Sequence, residues 1–305
     1  MAKLALFLCV LVLLCAMAWL YTPDKPRAAL EAVYAKPPSM FVQVAGVRLH
    51  LRDTGPRDAP AVILLHGFGA SLHTWDAWAR SLDATYRVIR FDLPGFGLTG
   101  ADPTGDYSDA RSLTVLLALM DHLGVARATL VGNSMGGRIA WQFAATYPQR
   151  VAKLVLIAPD GFASPGQAYG VAPTVPLMMK VLPYVLPAPL LRATLAPAYA
   201  DRTVLTEALF NRYRDMMLAP GVRRAILARM PQTVLVPPEP LLRRIQVPTL
   251  LLWGTKDAMV PFSNAADYQR VLPNARLAAL DGVGHLPQEE VPDRSLAALR
   301  TFLEQ

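Results

Sequence analysis

An α/β architecture, with a mostly parallel eight-stranded sheet flanked by helices, is predicted by three features of the chain. Short apolar runs alternate with helix-like stretches, 53% of the 305 residues are hydrophobic, and one Pro-rich interval interrupts the alternation. Such a composition is ample for a large buried core. Strand followed by helix, repeated, favours parallel pairing, because a parallel crossover needs a helix's length of chain between its strands.

Phe41 to Ala45, Val47 to Arg52, Ala61 to Leu65 and Arg87 to Phe91 read as the early strands. Ala128 to Val131, Val151 to Ile157, Thr249 to Trp253 and Ala275 to Leu280 read as the later ones. Helical composition marks Trp75 to Leu82, Ala110 to Leu123, Ser134 to Tyr147, Phe262 to Val271 and a closing helix from Glu289 to Leu303. The interval from Gly161 to Leu241 carries closely spaced prolines and apolar residues such as Leu177, Met178 and Met179, without a convincing strand, and reads as an inserted helical cap. The expected organisation is therefore an anchor or signal segment at 1–22, a linker at 23–39, a core at 40–160, the cap at 161–241 and the rest of the core at 242–305.

Leu4 to Tyr21 holds 18 residues without a charge. As a helix this run would reach about 27 Å, close to the thickness of a bilayer's hydrocarbon core. Three outcomes compete: an uncleaved anchor, a secretory signal cut after Ala18, and a lipoprotein signal using Cys15. Trp19 and Leu20 carry the apolar run past the cleavage pattern, while Leu14 is bulky where a lipoprotein signal has a small residue. A membrane anchor with an exported globular domain is the resulting expectation. Cys9 and Cys15, the only cysteines, both lie in this run, so the globular part has no disulfide or cysteine-based metal site. No cofactor or metal is expected.

Val131-Gly132-Asn133-Ser134-Met135-Gly136-Gly137 places a serine in a G-x-S-x-G frame between an apolar run and a helix-like stretch. In a strand-to-helix elbow the serine occupies a sharp turn, and its small neighbours avoid collisions with adjacent backbone. Ser134 is thus the candidate nucleophile, and the Met135 N–H at the start of the helix is a candidate oxyanion donor. His285, in Gly284-His285-Leu286 after the last strand, is the candidate base. His50, His73 and His122 read as structural or solvent-facing. Asp257, in the turn after Trp253, is the candidate orienting acid, with Asp160 as its rival after the preceding strand. Leu65-His66-Gly67-Phe68-Gly69 follows a buried-type strand and offers the Phe68 N–H as the second oxyanion donor, with His66 shaping the loop. Asp92 reads as structural.

These segments, taken in order with Asp92-Leu93-Pro94-Gly95-Phe96-Gly97 and Trp253-Gly254-Thr255-Lys256-Asp257, resemble the α/β-hydrolase superfamily. The resemblance implies a Ser134, His285, Asp257 triad and a cap inserted after the sixth core strand. Ser134 stands where epoxide hydrolases and haloalkane dehalogenases have an aspartate, which argues against both. Among serine members, the N-terminal segment, His66-Gly67-Phe68 and Asn133-Ser134-Met135-Gly136-Gly137 look like membrane-anchored monoacylglycerol lipases and related esterases. The expected activity is hydrolysis of an apolar or lipid-like carboxylic ester through an acyl-enzyme. Carbon–carbon hydrolases of aromatic ring-cleavage products share the elbow, but they usually carry a Gly-Pro-Gly turn and a Trp after the histidine, where this chain has Gly67-Phe68-Gly69 and Leu286. A cofactor-free haloperoxidase or perhydrolase and a non-catalytic binding member of the fold complete the alternatives.

The formal charge of +7 is concentrated in the cap, where Gly161 to Arg244 holds ten basic residues against four acids. No basic-aromatic motif of a nucleic-acid module accompanies it, so no nucleic-acid partner is expected. A sharper expectation is that cap arginines, Arg223 and Arg224 among them, lean on anionic membrane lipid. The sequence leaves the oligomeric state open.

Overall fold

The computed structural model of the chain describes residues 3, 4, 7, 8, 11, 20–164 and 166–305. Eight strands form one sheet: β1 (Ser39–Val44), β2 (Val47–Thr54), β3 (Ala61–Leu65), β4 (Arg87–Phe91), β5 (Ala128–Asn133), β6 (Val151–Ile157), β7 (Thr249–Gly254) and β8 (Ala275–Leu280). Their spatial order is β1-β2-β4-β3-β5-β6-β7-β8. The pairs β1/β2 and β2/β4 are antiparallel and every other pair is parallel. The predicted α/β sheet is therefore the observed one. The central strands β3, β4 and β5 are buried along almost their whole length, the arginines of β4 included, because helices cover both faces of the sheet.

The chain leaves β3 toward β4 on one side and returns through β5 on the other. That reversal sets the loop after β3 beside the loop after β5 at the carboxyl ends of the strands, the crevice where open α/β sheets bind ligands. Helices α1 (Arg27–Tyr34), α2 (Asp76–Leu82), α3 (Asp109–His122) and α4 (Met135–Thr146) belong to the first part of the core. The cap contributes α5 (Ala188–Leu195), α6 (Glu207–Met217) and α7 (Val222–Arg229), followed by the short α8 (Glu239–Leu242). It carries no strand among its described residues and has a small core of its own, in which Leu191, Phe210 and Tyr213 pack with Leu286 of the sheet domain.

Beyond β7 lie α9 (Asn264–Val271), α10 (Pro287–Glu290) and α11 (Pro292–Leu303). The single closing helix expected from Glu289 to Leu303 is thus broken. Val291 adopts φ −137° and ψ 63°, because the proline that follows it disfavours the helical region.

Residues 23–39 were expected as a linker, yet α1 lies within them, and its Leu30 is 2% exposed in the main core. Immediately before it, Asp24 pairs with Arg223 of the cap at 2.6 Å and Lys25 with Asp215 at 2.6 Å. Arg223 is 1% exposed, which removes it from the set of arginines available to a lipid surface. The surplus cap charge is in this part internal rather than presented outward.

The membrane-anchored, exported placement is corrected as well. Among the described residues, no helix is long and apolar enough to cross a membrane. An uncharged run supplies hydropathy but does not by itself fix a spanning helix. Most of the run from Leu4 to Tyr21, including Cys9 and Cys15, lies outside the described residues.

Candidate active site

Ser134 sits between β5 and α4 with φ 54° and ψ −119°, a conformation that costs energy for any residue with a side chain. Backbone bonds hold it there: its N–H donates to Ile157 O at 2.9 Å, and its carbonyl accepts from Arg138 N at 3.0 Å and Asp160 N at 3.1 Å. The turn closes only because its neighbours are small. A Cβ on Gly132 would lie 2.2 Å from Gly136 O, and one on Gly136 would lie 2.2 Å from Leu65 O. This is the steric reason for the glycines that frame the serine.

The loop after β3 reaches the elbow at Gly67, where an added Cβ would lie 3.3 Å from Ser134 Cβ. His66 fixes this loop. Its Nδ1–H donates to Gly67 O at 2.8 Å and its Nε2 accepts from Leu93 N at 2.9 Å, so both nitrogens are committed to backbone. Burial pushes its pKa below the ordinary value, and the neutral ring acts as a brace. Asp92 braces the next loop by accepting from Leu72 N and Leu98 N, both at 2.7 Å, and by pairing with His50 at 2.8 Å. Burial alone would raise its pKa, but the surrounding imidazoles, His50 first, hold its carboxyl well below the usual range.

Asp257 and His285 meet across the ends of β7 and β8. His285 Nδ1 lies 2.7 Å from Asp257 Oδ2, and the Asp257 side chain is fully covered. The other carboxylate oxygen accepts from Met259 N at 2.8 Å and Val260 N at 2.9 Å, which fixes its orientation. Gly254 makes the approach possible, since a Cβ there would fall 2.2 Å from the carbonyls of Val283 and Gly284. The remaining link runs to the elbow: Asn133 Nδ2 donates to His285 O at 3.1 Å and to Ile157 O at 3.2 Å. With Nδ1–H committed to a carboxylate, Nε2 of His285 is left as the acceptor for a proton.

Phe68, Ser134 and Met135 line one cavity of about 250 Å³, together with Asp160, Arg229 and Thr233. His285 and Asp257 are not among its lining residues. The Met135 N–H opens α4 and has no partner within that helix. The Phe68 side chain is half exposed and meets Phe96 edge to face. The rival acid Asp160 is engaged elsewhere, with its Oδ2 3.6 Å from Arg138 Nη1. Desolvation raises its pKa, Asp109 adds to the rise and Arg138 opposes it.

Sequence reasoning missed Arg229, which is 6% exposed and donates to the carbonyls of Pro94 and Tyr107, and it assigned no role to Asn133. Asn133 stood inside the quoted motif. Its amide contact with residue 285 depends on a pairing far along the chain and left no local signal.

The model of the alpha/beta hydrolase fold family matches residues 60–292. A 2-hydroxy-6-oxononadienedioate/2-hydroxy-6-oxononatrienedioate hydrolase from Paraburkholderia phymatum is 34% identical over 90% of this chain and 97% of its own length. A 2-hydroxy-6-oxo-6-phenylhexa-2,4-dienoate hydrolase from Comamonas testosteroni is 31% identical over 84% of this chain and 91% of its own. Among solved structures, a membrane phospholipase A covers 100% of this chain and 98% of its own at 26% identity with a TM-score of 0.74. The meta-cleavage product hydrolase of Pseudomonas fluorescens covers 87% and 97% at 26% identity with a TM-score of 0.75.

The expectation of a lipase or carboxylic esterase is overturned by these relatives, which are named for ring-fission dienoates and share most of the chain's length. The physical reason is that a serine elbow encodes attack on a carbonyl and leaves the departing group unspecified. The residues after Gly67 and His285 depart from the usual carbon–carbon hydrolase pattern, but similarity along most of the chain outweighs these two local departures. The chain belongs to the alpha/beta hydrolase fold family.

Proposed function

We propose that this hydrolase cleaves a carbon–carbon bond in 2-hydroxy-6-oxo-dienoates, the open-chain products of aromatic ring fission. The observation that carries the reading is similarity over nine-tenths of the chain to a hydrolase named for such a substrate. The arrangement of Ser134, His285 and Asp257 supports it.

In this reading Ser134 Oγ adds to the ketone carbon C6 and its proton passes to Nε2 of His285. The Met135 and Phe68 N–H groups face the oxygen on which charge develops. Asp257 holds the imidazole in the tautomer that accepts the proton and stabilises its charged form. The substrate's enol becomes a ketone as the 2-hydroxyl proton moves to C5; the C5–C6 bonding pair then departs through C4 and C3 onto the C2 oxygen, which takes the proton held by His285 and is again a hydroxyl in the dienoate product. Water then releases the acid from Ser134. One water is consumed, its hydroxyl ending on C6 and its hydrogen balancing the new C5–H bond.

The test compares decay of a 2-hydroxy-6-oxo-dienoate chromophore with release of p-nitrophenol from p-nitrophenyl esters by the same preparation. A higher kcat/KM on the dienoate supports the reading. Efficient ester turnover with no dienoate decay overturns it.

A further inference from the structure

The Phe68 N–H takes its direction from the peptide plane it shares with Gly67. Among the described residues it donates to no backbone acceptor that would hold it by itself. A trans peptide is planar, with its N–H opposed to its C=O, so whatever fixes Gly67 O also aims the Phe68 N–H. Gly67 O accepts from His66 Nδ1 at 2.8 Å and from Ala70 N at 3.3 Å. The His66 imidazole is thus the lever that aims one oxyanion donor.

The imidazole is itself held by one turn of the loop after β4. Leu93 N donates to its Nε2 at 2.9 Å, and the Phe96 ring meets it edge to face with centroids 5.8 Å apart. Phe96 N donates to Leu93 O at 3.0 Å, which closes the turn and makes these two contacts move together. The same Phe96 ring, which is fully buried, also meets Phe68 at 5.4 Å. One aromatic side chain therefore packs on both the lever and the residue that it aims.

That turn is gripped from the cap. Arg229, the last residue of α7, donates from Nη2 to Pro94 O at 2.7 Å and from Nη1 to Tyr107 O at 3.3 Å. Its guanidinium carbon lies 5.1 Å from the centroid of the Phe96 ring and 5.0 Å from that of Tyr107. Burial brings its pKa down to about 10, with Tyr107 opposing the fall, so the group is charged at neutral pH. The groups it touches are nevertheless carbonyls and ring faces, and a buried cation so placed is costly to keep. The features of arginine used here are its planar fork and its flat face, and lysine has neither.

We propose that Arg229 is a positioning residue that couples seating of the cap to assembly of the oxyanion site. With α7 in place, Arg229 locks the Leu93–Phe96 turn, the turn holds His66, and His66 aims the Phe68 N–H at the oxygen of the carbonyl that Ser134 attacks. The inference goes beyond the carbon–carbon hydrolase reading, because it requires only that Ser134 adds to a carbonyl.

The experiment compares the wild-type protein with Arg229→Lys, Arg229→Met and Phe96→Leu. It measures kcat and KM on a 6-phenyl 2-hydroxy-6-oxo-dienoate and on p-nitrophenyl butyrate, the inhibition constant of an alkyl trifluoromethyl ketone, whose adduct with a serine carries an oxyanion, and Tm. In each variant kcat should fall by about 10- to 100-fold, the scale of a donor displaced from its transition-state position. KM should change by less than about 3-fold, and trifluoromethyl ketone binding should weaken by the same factor as kcat. A purely structural role would lower Tm without that match. Arg229→Lys combined with Phe96→Leu should cost no more than the larger single loss, since both break one path. Wild-type kcat in a folded Arg229→Lys, an effect confined to KM, or additive losses in the combined variant overturns the positioning role. Phe96→Leu carries the test if the Arg229 variants do not fold, and the trifluoromethyl ketone measurement needs no turnover. A wild type that hydrolyses the ester and no dienoate overturns the carbon–carbon hydrolase reading instead and leaves this comparison standing.

Discussion

The side-chain amide of Asn133 donates to the carbonyl of His285 at 3.1 Å, so the residue before the candidate nucleophile holds the loop that carries the candidate base. Because the same amide also reaches Ile157 O, it ties the ends of β5 and β6 to the loop after β8. Asn133→Ala should lower kcat by about 10- to 100-fold through misplacement of His285, with a smaller change in KM. It should also lower stability by about 1–3 kcal/mol, since the His285 carbonyl loses its side-chain donor, whereas Ile157 O keeps the Ser134 N–H. Steady-state kinetics and denaturant unfolding read the two effects, and an unaltered kcat contradicts the positioning role.

Asp257→Asn should reduce kcat by about 10⁴-fold, because an amide leaves the wrong imidazole tautomer in place, as in serine proteases. Asp160→Asn should leave a far larger residual rate, since its carboxyl is directed at Arg138 rather than at His285. A reversed ranking in parallel kinetic assays would move the orienting role to Asp160.

Glu290 joins the cap to the His285 loop. Its Oε2 accepts from Gly284 N at 2.9 Å and Ala200 N at 3.2 Å, its Oε1 accepts from Asp201 N at 3.0 Å, and His285 N donates to Ala198 O at 2.8 Å. Glu290→Ala is expected to lower kcat by about 10-fold, with partial recovery in Glu290→Gln, which keeps one acceptor. Equal losses in the two variants would point to charge rather than to the clamp.

Stability should fall as the pH drops below the ordinary histidine range. Burial holds His66 below its usual pKa and, with help from Arg52 against Asp92 and Asp76, brings His73 down to about 4. Between pH 6.5 and about 4 the unfolded chain therefore binds protons that the folded chain does not, and folding free energy declines. Each such histidine contributes a slope of about 1.4 kcal/mol per pH unit where the two states differ by a full proton. Chemical unfolding across this window checks the sign. His73→Gln should make the slope shallower, and a slope that is flat or opposite in the wild type would contradict the burial argument.

The elbow was legible in the sequence because its constraint is local: Gly132, Gly136 and Gly137 stand within three residues of Ser134 and answer directly to backbone contact. The strand order at β7 and β8 made Asp257 and His285 legible as neighbours, since each lies in the loop just past a strand end. Braces made by long-range contacts were not legible. His66 accepting from Leu93, Arg138 shared between Asp109 and Asp160, and Glu290 on the cap join residues whose spacing carries no periodic signal. The break at Val291 was foreshadowed by Pro292, and the helix at Arg27–Tyr34 was hidden behind the prolines around it. Substrate class was the least legible feature, because esters and ring-fission ketones present the same carbonyl to the same serine.

Product analysis tests the central claim most directly. A 2-hydroxy-6-oxo-6-phenyl dienoate is incubated with the wild-type protein and with Ser134→Ala, and the acids formed are quantified against substrate consumed. The account predicts one benzoate and one 2-hydroxypentadienoate per substrate lost, with the rate reduced by orders of magnitude in Ser134→Ala. Loss of substrate without benzoate, or equal benzoate formation by the two proteins, would contradict it.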